Sequence, residues 1–233
     1  MPTTQVLAHR GASRAERENT LEAFRTAARM GAEAVELDVR RMHDGSMAVH
    51  HDAHLADGRL LCEMVAADLP AHVPLLADAL DACEGMWVNI EIKNHPDDPD
   101  HDPTERVTAA VADHLAHRGD DARWLISSFS RATVDAMRTL RPEVRTAWLC
   151  LGVRPNNLER TARDLATSGH SALHPWVNLL TRRCVEVFHA HGLSVNTWTC
   201  DDPGRMRELI SWGVDGICTN VPDVCLSVRS DTA

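Results

Sequence analysis

Short apolar runs alternate with longer amphipathic ones along the whole chain. Val6-Leu7-Ala8 is the first run and reads as a strand. Asn19 and Glu22 then frame a helix start in the manner of a capping box, and Met30-Gly31 ends that helix. Residues 34–39 predict a second strand, Asp44-Gly45 a tight turn, and 47–50 its return strand. The stretch 53–74 has no clear period and reads as a short excursion after the second strand. Further strands are expected at 86–92, 124–127, 146–151, 172–175, 194–198 and 216–219. Helices are expected at 75–83, from the end of the polar loop 95–103 to His117, and at 131–140, 158–168, 181–191 and 203–212.

Leaving out the return strand, this gives eight strands, each followed by a helical stretch or the chain's end. Dividing 233 residues by eight leaves about 29 per unit, near the minimum for a strand, a helix and two turns. Short links and strict alternation imply parallel strands with right-handed crossovers. The pattern therefore predicts a TIM (β/α)8 barrel, with residues 1–233 as a single domain. A doubly wound open sheet is the alternative, since alternation alone does not require closure.

Composition removes several classes of function. Lys and Arg total 24 against 34 Asp and Glu, a net charge of −10, which disfavours non-specific binding to nucleic acid or anionic lipid. No apolar stretch reaches the roughly 20 residues of a membrane span, so no integral membrane association is expected. The seven cysteines are widely spaced with no C-x-x-C, which reads as reduced thiols rather than a disulfide frame or a zinc site. No signal peptide is visible after Met1, and the cytoplasm is the expected compartment.

Four polar features sit at the carboxyl ends of predicted strands, where barrel active sites are built. His9-Arg10-Gly11 follows the first strand, and Glu36-Leu37-Asp38 ends the second. His50-His51-Asp52 follows the return strand, and Glu91-Ile92-Lys93 ends the next. Strand residues i and i+2 share a face, so Glu36 points with Asp38 and Glu91 with Lys93. Each feature alone is common; their shared register is the signal. Carboxylates of Glu36, Asp38 and Glu91 converging at one barrel mouth would repel by about 4 kcal/mol per close pair. Either some of them hold protons, or one divalent cation sits between them. All-oxygen ligation suits Mg2+ or Ca2+. A salt-bridge cluster of Glu91, Lys93 and Arg40 is the structural alternative. Arg10 and Lys93, together with a hard cation, form a clamp for phosphate. An imidazole titrates at about pH 6.5, so His9 and His51 can divide the roles of base and acid. The set fits phosphodiester cleavage.

At these residues the sequence resembles the glycerophosphodiester phosphodiesterases, a TIM-barrel family. The match runs through Ala8-His9-Arg10-Gly11, Glu18 to Phe24, Gly31-Ala32, Glu36 to Val39, Asp44-Gly45, His50-His51-Asp52 and Glu91-Ile92-Lys93. It closes with His191-Gly192, Trp198-Thr199, Gly213 to Ile217 and Thr219 to Pro222. The resemblance implies hydrolysis of a small-molecule glycerophosphodiester to glycerol 3-phosphate and an alcohol. By position it implies His9 and His51 as the acid/base pair, Glu36, Asp38 and Glu91 as metal ligands, and Arg10 and Lys93 as phosphate contacts. It further implies attack by the glycerol 2-hydroxyl through a cyclic phosphate, an internal nucleophile being already positioned. Trp198 fits either a wall against the glycerol carbons or a filler of the barrel core. His174-Pro175, ending the sixth strand, is a further candidate for substrate contact. Asp215 reads as a turn or cap residue rather than a catalyst, and Asn19 as a helix cap, with orienting the first loop as its second reading. The excursion is shorter than the family's, which suggests a more open pocket. A phospholipase C/D-like or lysophospholipid phosphodiesterase on the same barrel is the alternative activity, and a non-catalytic phosphate-binding barrel is a third reading.

Overall fold

A computed structural model describes residues 3–232. The apolar runs become β1 (Gln5–His9), β2 (Ala34–Arg41), β3 (Met47–Val49), β4 (Trp87–Ile92), β5 (Trp124–Ser128), β6 (Arg145–Cys150), β7 (Ala172–Pro175), β8 (Ser194–Thr197) and β9 (Gly216–Thr219). The order β1-β9-β8-β7-β6-β5-β4-β2 is parallel throughout, and β1 pairs with β2 to close a barrel of eight strands. β3 is the exception, running antiparallel to β2 as the outer half of a hairpin. The expected TIM barrel is therefore present, and the open sheet is not.

The helices are α1 (Leu21–Met30), α2 (Leu76–Ala82), α3 (Arg106–Arg118), α4 (Arg131–Leu140), α5 (Leu158–Thr167), α6 (Arg182–Ala190), α7 (Pro203–Trp212) and α8 (Pro222–Thr232). α8 lies outside the elements read from the sequence. It buries only Pro222, Cys225 and Val228, too few apolar positions to mark an amphipathic face. Among the described residues no helix is long and apolar enough to cross a membrane.

Period-two alternation divides each strand between two surroundings. In β2, Val35, Leu37 and Val39 turn outward into the shell packed by the helices, as do Val88, Ile90 and Ile92 of β4. Glu36, Asp38, Asn89 and Glu91 therefore face the barrel axis. The register sets them side by side, with His9 opposite Glu36, Glu36 opposite Asn89, and Asp38 opposite Glu91. Deeper in the barrel, Leu7, Ala34 and Cys218 form one apolar cluster with Trp87 and Trp198 against it, and Leu125, Ala147 and Ala172 form another.

The excursion has its own small core of Leu55, Leu61, Met64 and Val73 against Met42 and Ala48 of the hairpin. Its lack of period has a cause: two single 3-10 turns, Leu61–Glu63 and Ala66–Asp68, replace any longer element. The Asp44 carboxylate ties it to the hairpin turn by accepting from the backbone N–H of Ser46 and of Ala66, both at 2.9 Å.

Candidate active site

β1 delivers His9 to the barrel mouth, and the chain then turns sharply. Gly11 sits at φ +82°, and a Cβ there would lie 2.6 Å from the Ala23 carbonyl carbon, so only glycine lets this loop lie against α1. Arg10, itself at φ +55°, donates its backbone N–H to Glu36 Oε2 at 3.0 Å. The left-handed backbone at Arg10 thus couples the loop to the carboxylate layer.

Glu36, Asp38 and Glu91 are 4%, 0% and 7% exposed, and one oxygen from each lies within 4.8 Å of the others. Lys93 Nζ is 2.5 Å from Glu91 Oε1 and 2.9 Å from Asp38 Oδ1, and Arg10 Nε is 3.2 Å from Asp38 Oδ2. Burial raises the Glu36 carboxyl well above its usual range, and Asp38 and Glu91 push it further. Burial raises Glu91 as well, against the pull of Lys93. Burial would also raise Asp38, but Lys93 and Arg10 override it and hold that carboxyl below the usual range. Two cations cannot balance three carboxylates, and the deficit falls on Glu36. Its Oε1 is buried without a hydrogen bond, while Asp38 Oδ1 is held by Lys93. Buried, converging carboxylate oxygens of this kind fit a hard divalent cation.

The two histidines flank this cluster in different surroundings. His9 Nδ1 is 2.7 Å from Asn220 Oδ1, and the Asn220 amide is oriented by donating Nδ2–H to Asp201 at 2.7 Å. Asn220 thus accepts from Nδ1–H and leaves Nε2, 3.9 Å from Glu36 Oε2, as the free lone pair. Burial, then Arg10, lowers the His9 pKa from 6.5. His51 is more exposed, with Nδ1 2.7 Å from Asp52 Oδ1. Arg40, buried at the end of β2, donates Nε–H to the His51 carbonyl at 2.8 Å and pairs with Asp100 and Asp98. Arg40 therefore does not join Glu91 and Lys93 in the salt-bridge cluster expected as the alternative. It anchors the His51 loop instead.

One cavity of about 60 Å³ collects His9, Arg10, Glu36, Glu91, Lys93 and His51 with Trp198. Trp198 lines this cavity while packing on the Leu7–Ala34–Cys218 cluster. Its indole N–H donates to the His174 carbonyl at 2.8 Å, and its ring meets Phe129 edge-on at 5.4 Å. No excursion residue lines this cavity. Ala53 and His54 line instead a wider groove of about 600 Å³ that shares His51, Glu91, Lys93 and Phe129 with it.

The cap assignment of Asn19 is corrected. Thr20 is the N-cap of α1, its hydroxyl accepting from Ala23 N–H, and Glu22 turns away to Arg29. Asn19, buried at φ +54°, instead donates its amide to Asp38 Oδ2 at 2.8 Å. Asn220 and Asp201 carry no role in the sequence reading. Asn220 and Asp201 follow the carboxyl ends of strands, the one positional signal that could have marked them. Asp215 matches its reading as a structural residue, accepting from Val195 N–H at 2.7 Å.

A parallel barrel with acidic side chains and two imidazoles converging at its carboxyl end belongs with the barrel phosphodiesterases. The sequence model of the glycerophosphoryl diester phosphodiesterase family matches residues 9–66 and 58–224. A Mycobacterium tuberculosis protein named "Probable glycerophosphodiester phosphodiesterase 2" is 34% identical over 233 residues, covering 90% of this chain and 84% of its own. The glycerophosphodiester phosphodiesterase of Bacillus subtilis is 25% identical, with 96% and 85% covered. A solved phosphodiesterase of Oleispira antarctica, in complex with the product sn-glycerol-3-phosphate, superposes with a TM-score of 0.87 at 25% identity, over 98% of this chain and 97% of that one. The chain belongs to the glycerophosphoryl diester phosphodiesterase family and is an enzyme of that kind.

Proposed function

We propose that the protein hydrolyses glycerophosphodiesters to glycerol 3-phosphate and an alcohol, with one divalent cation, Mg2+ or Ca2+, held by Glu36, Asp38 and Glu91. The observation that carries this reading is the strand register that gathers three buried carboxylates beside His9, two of which, Glu36 and Glu91, line the cavity that His9 lines. When bound, the cation would withdraw charge from the phosphoryl oxygens and acidify a nearby hydroxyl. Arg10 and Lys93 line the same cavity and hold the phosphate there.

His9 is the general base. Burial and Arg10 keep it neutral, and Asn220 fixes its proton on Nδ1, so Nε2 receives the proton of the glycerol 2-hydroxyl. His51 is the general acid. It stands where the cavity opens into the groove, beside the departing alcohol, and Asp52, 2.7 Å from Nδ1, steadies the ring while Nε2 delivers the proton. Attack by the internal hydroxyl forms a cyclic phosphate and expels the protonated alcohol. Water then opens the ring with the histidine roles reversed. The groove gives the alcohol room, so tolerance of leaving groups belongs on that side. Unpaired thiols at all seven cysteines suit the cytoplasm.

Phosphorus NMR of the enzyme with glycerophosphocholine tests the reading. Glycerol 3-phosphate should accumulate, and His9→Asn should slow it by about 100- to 10,000-fold while the protein still unfolds cooperatively. Undiminished turnover by H9N would overturn the assignment.

A further inference from the structure

The catalytic cavity does not end at the carboxylate layer. Its far wall is made by Asn89 of β4, His174 of β7 and Asn196 of β8, together with Leu7, Leu149 and Cys218. Asn89 pairs in register with Glu36, so this floor lies beside the carboxylates and toward the barrel interior. His174 is 3% exposed, Asn89 3% and Asn196 7%.

The polar atoms of the floor are left in an unusual state. Asn196 donates Nδ2–H to His174 Nε2 at 2.9 Å, which assigns the imidazole proton to Nδ1, and Nδ1 has no partner among the described residues. Asn89 Oδ1 is buried with no hydrogen bond at all. Burial lowers the His174 pKa to about 3, so the ring is a neutral hydrogen-bonding group and not a charge. Gly216 supports the arrangement from behind: a Cβ there would stand 2.6 Å from Asn196 Oδ1, so only glycine lets the amide lie flat against β9. A ring donor and an amide acceptor on residues that line one cavity match what a single hydroxyl requires, since a hydroxyl gives one hydrogen bond and takes others.

We propose that His174 and Asn89, with Asn196 holding the His174 ring, bind the free terminal hydroxyl of the glycerol moiety and select substrates that carry it. The proposal rests on the phosphodiesterase reading and adds a specificity element to it. The 2-hydroxyl faces His9 while the terminal hydroxymethyl enters the floor. An acyl chain on that hydroxyl would replace the hydrogen that this floor is set to bond, and a substrate lacking the hydroxymethyl leaves its polar atoms unpaired. Sites built to bond a hydroxyl discriminate strongly for this reason.

Three substrates separate the possibilities: glycerophosphocholine, 2-hydroxyethyl phosphocholine, which keeps the attacking hydroxyl but lacks the hydroxymethyl, and 1-acyl lysophosphatidylcholine. The wild type should favour the first over each of the others by at least about tenfold in kcat/KM. His174→Leu should bring the ratio between the first two close to one, the loss falling much more heavily on glycerophosphocholine than on 2-hydroxyethyl phosphocholine. Asn196→Ser, a smaller change, should shift the same ratio in the same direction and serves if H174L does not fold. A wild-type ratio near one, or variants that slow both substrates equally, would overturn the proposal while leaving the phosphodiesterase reading intact. No turnover of any of the three by the wild type would overturn both.

Discussion

Replacing Asn19 by glycine separates a helix cap from a residue that supports metal binding. The glycine keeps the left-handed backbone at φ +54° that this position requires, whereas alanine would add about 1–2 kcal/mol of local strain. What the substitution removes is the 2.8 Å bond from the Asn19 amide to Asp38 Oδ2. Asp38 is fully buried, and a hydrogen bond to a buried charge is worth about 1.5–3 kcal/mol. At about 1.4 kcal/mol per factor of ten, that is a loss of roughly 10- to 150-fold in cation affinity. The assay is calorimetric titration of chelator-treated protein with Mg2+ or Ca2+, alongside kcat at saturating cation and thermal unfolding in chelator. The expected result for N19G is weakened binding and a lower kcat, with α1 still capped by Thr20. A variant that loses thermal stability but keeps wild-type affinity and rate would refute this, because that is the behaviour of a cap.

Glu36 sets a pH dependence that its own substitution isolates. Its folded-state pKa is raised well above 4.5, so the stability it contributes is full below about pH 4.5 and is lost as pH rises through the raised value. In chelator the wild type should therefore lose stability relative to Glu36→Gln as pH increases. Urea midpoints for both proteins across pH 5 to 9 check this, and parallel curves would contradict it. Arg40→Met strips the partner from Asp100, whose side chain is 4% exposed, and releases the His51 carbonyl. It should cost about 3–5 kcal/mol in urea unfolding and reduce kcat; a loss under about 1 kcal/mol would mean the pair does not hold the loop.

Most of the site was legible because one strand rule governs it. Side chains two apart share a face, so Glu36 with Asp38 and Glu91 with Lys93 could be placed from spacing alone. The alignment between strands could not be placed that way. Nothing in the chain states that Asp38 lies opposite Glu91; the barrel's shear sets it. Asn19 misled because a polar residue before a helix has an ordinary explanation in capping, and only the fold brings Asp38 within reach of its amide. Asn220 supports His9 across 211 positions of sequence, a separation that local pattern cannot span. Arg40 was placed with Glu91 and Lys93 by charge, but Asp98 and Asp100 in the following loop are the anions it meets. α8 was missed because it buries so little.

The central claim is that Glu36, Asp38 and Glu91 hold one cation on which catalysis depends. The most direct test is glycerophosphocholine hydrolysis by chelator-treated enzyme titrated with Mg2+ or Ca2+ while the bound ion is counted. No turnover is expected without metal, recovery should saturate at one ion per chain, and Glu91→Gln should show neither binding nor recovery. Full activity in metal-free enzyme, or an unchanged binding isotherm in E91Q, would contradict it.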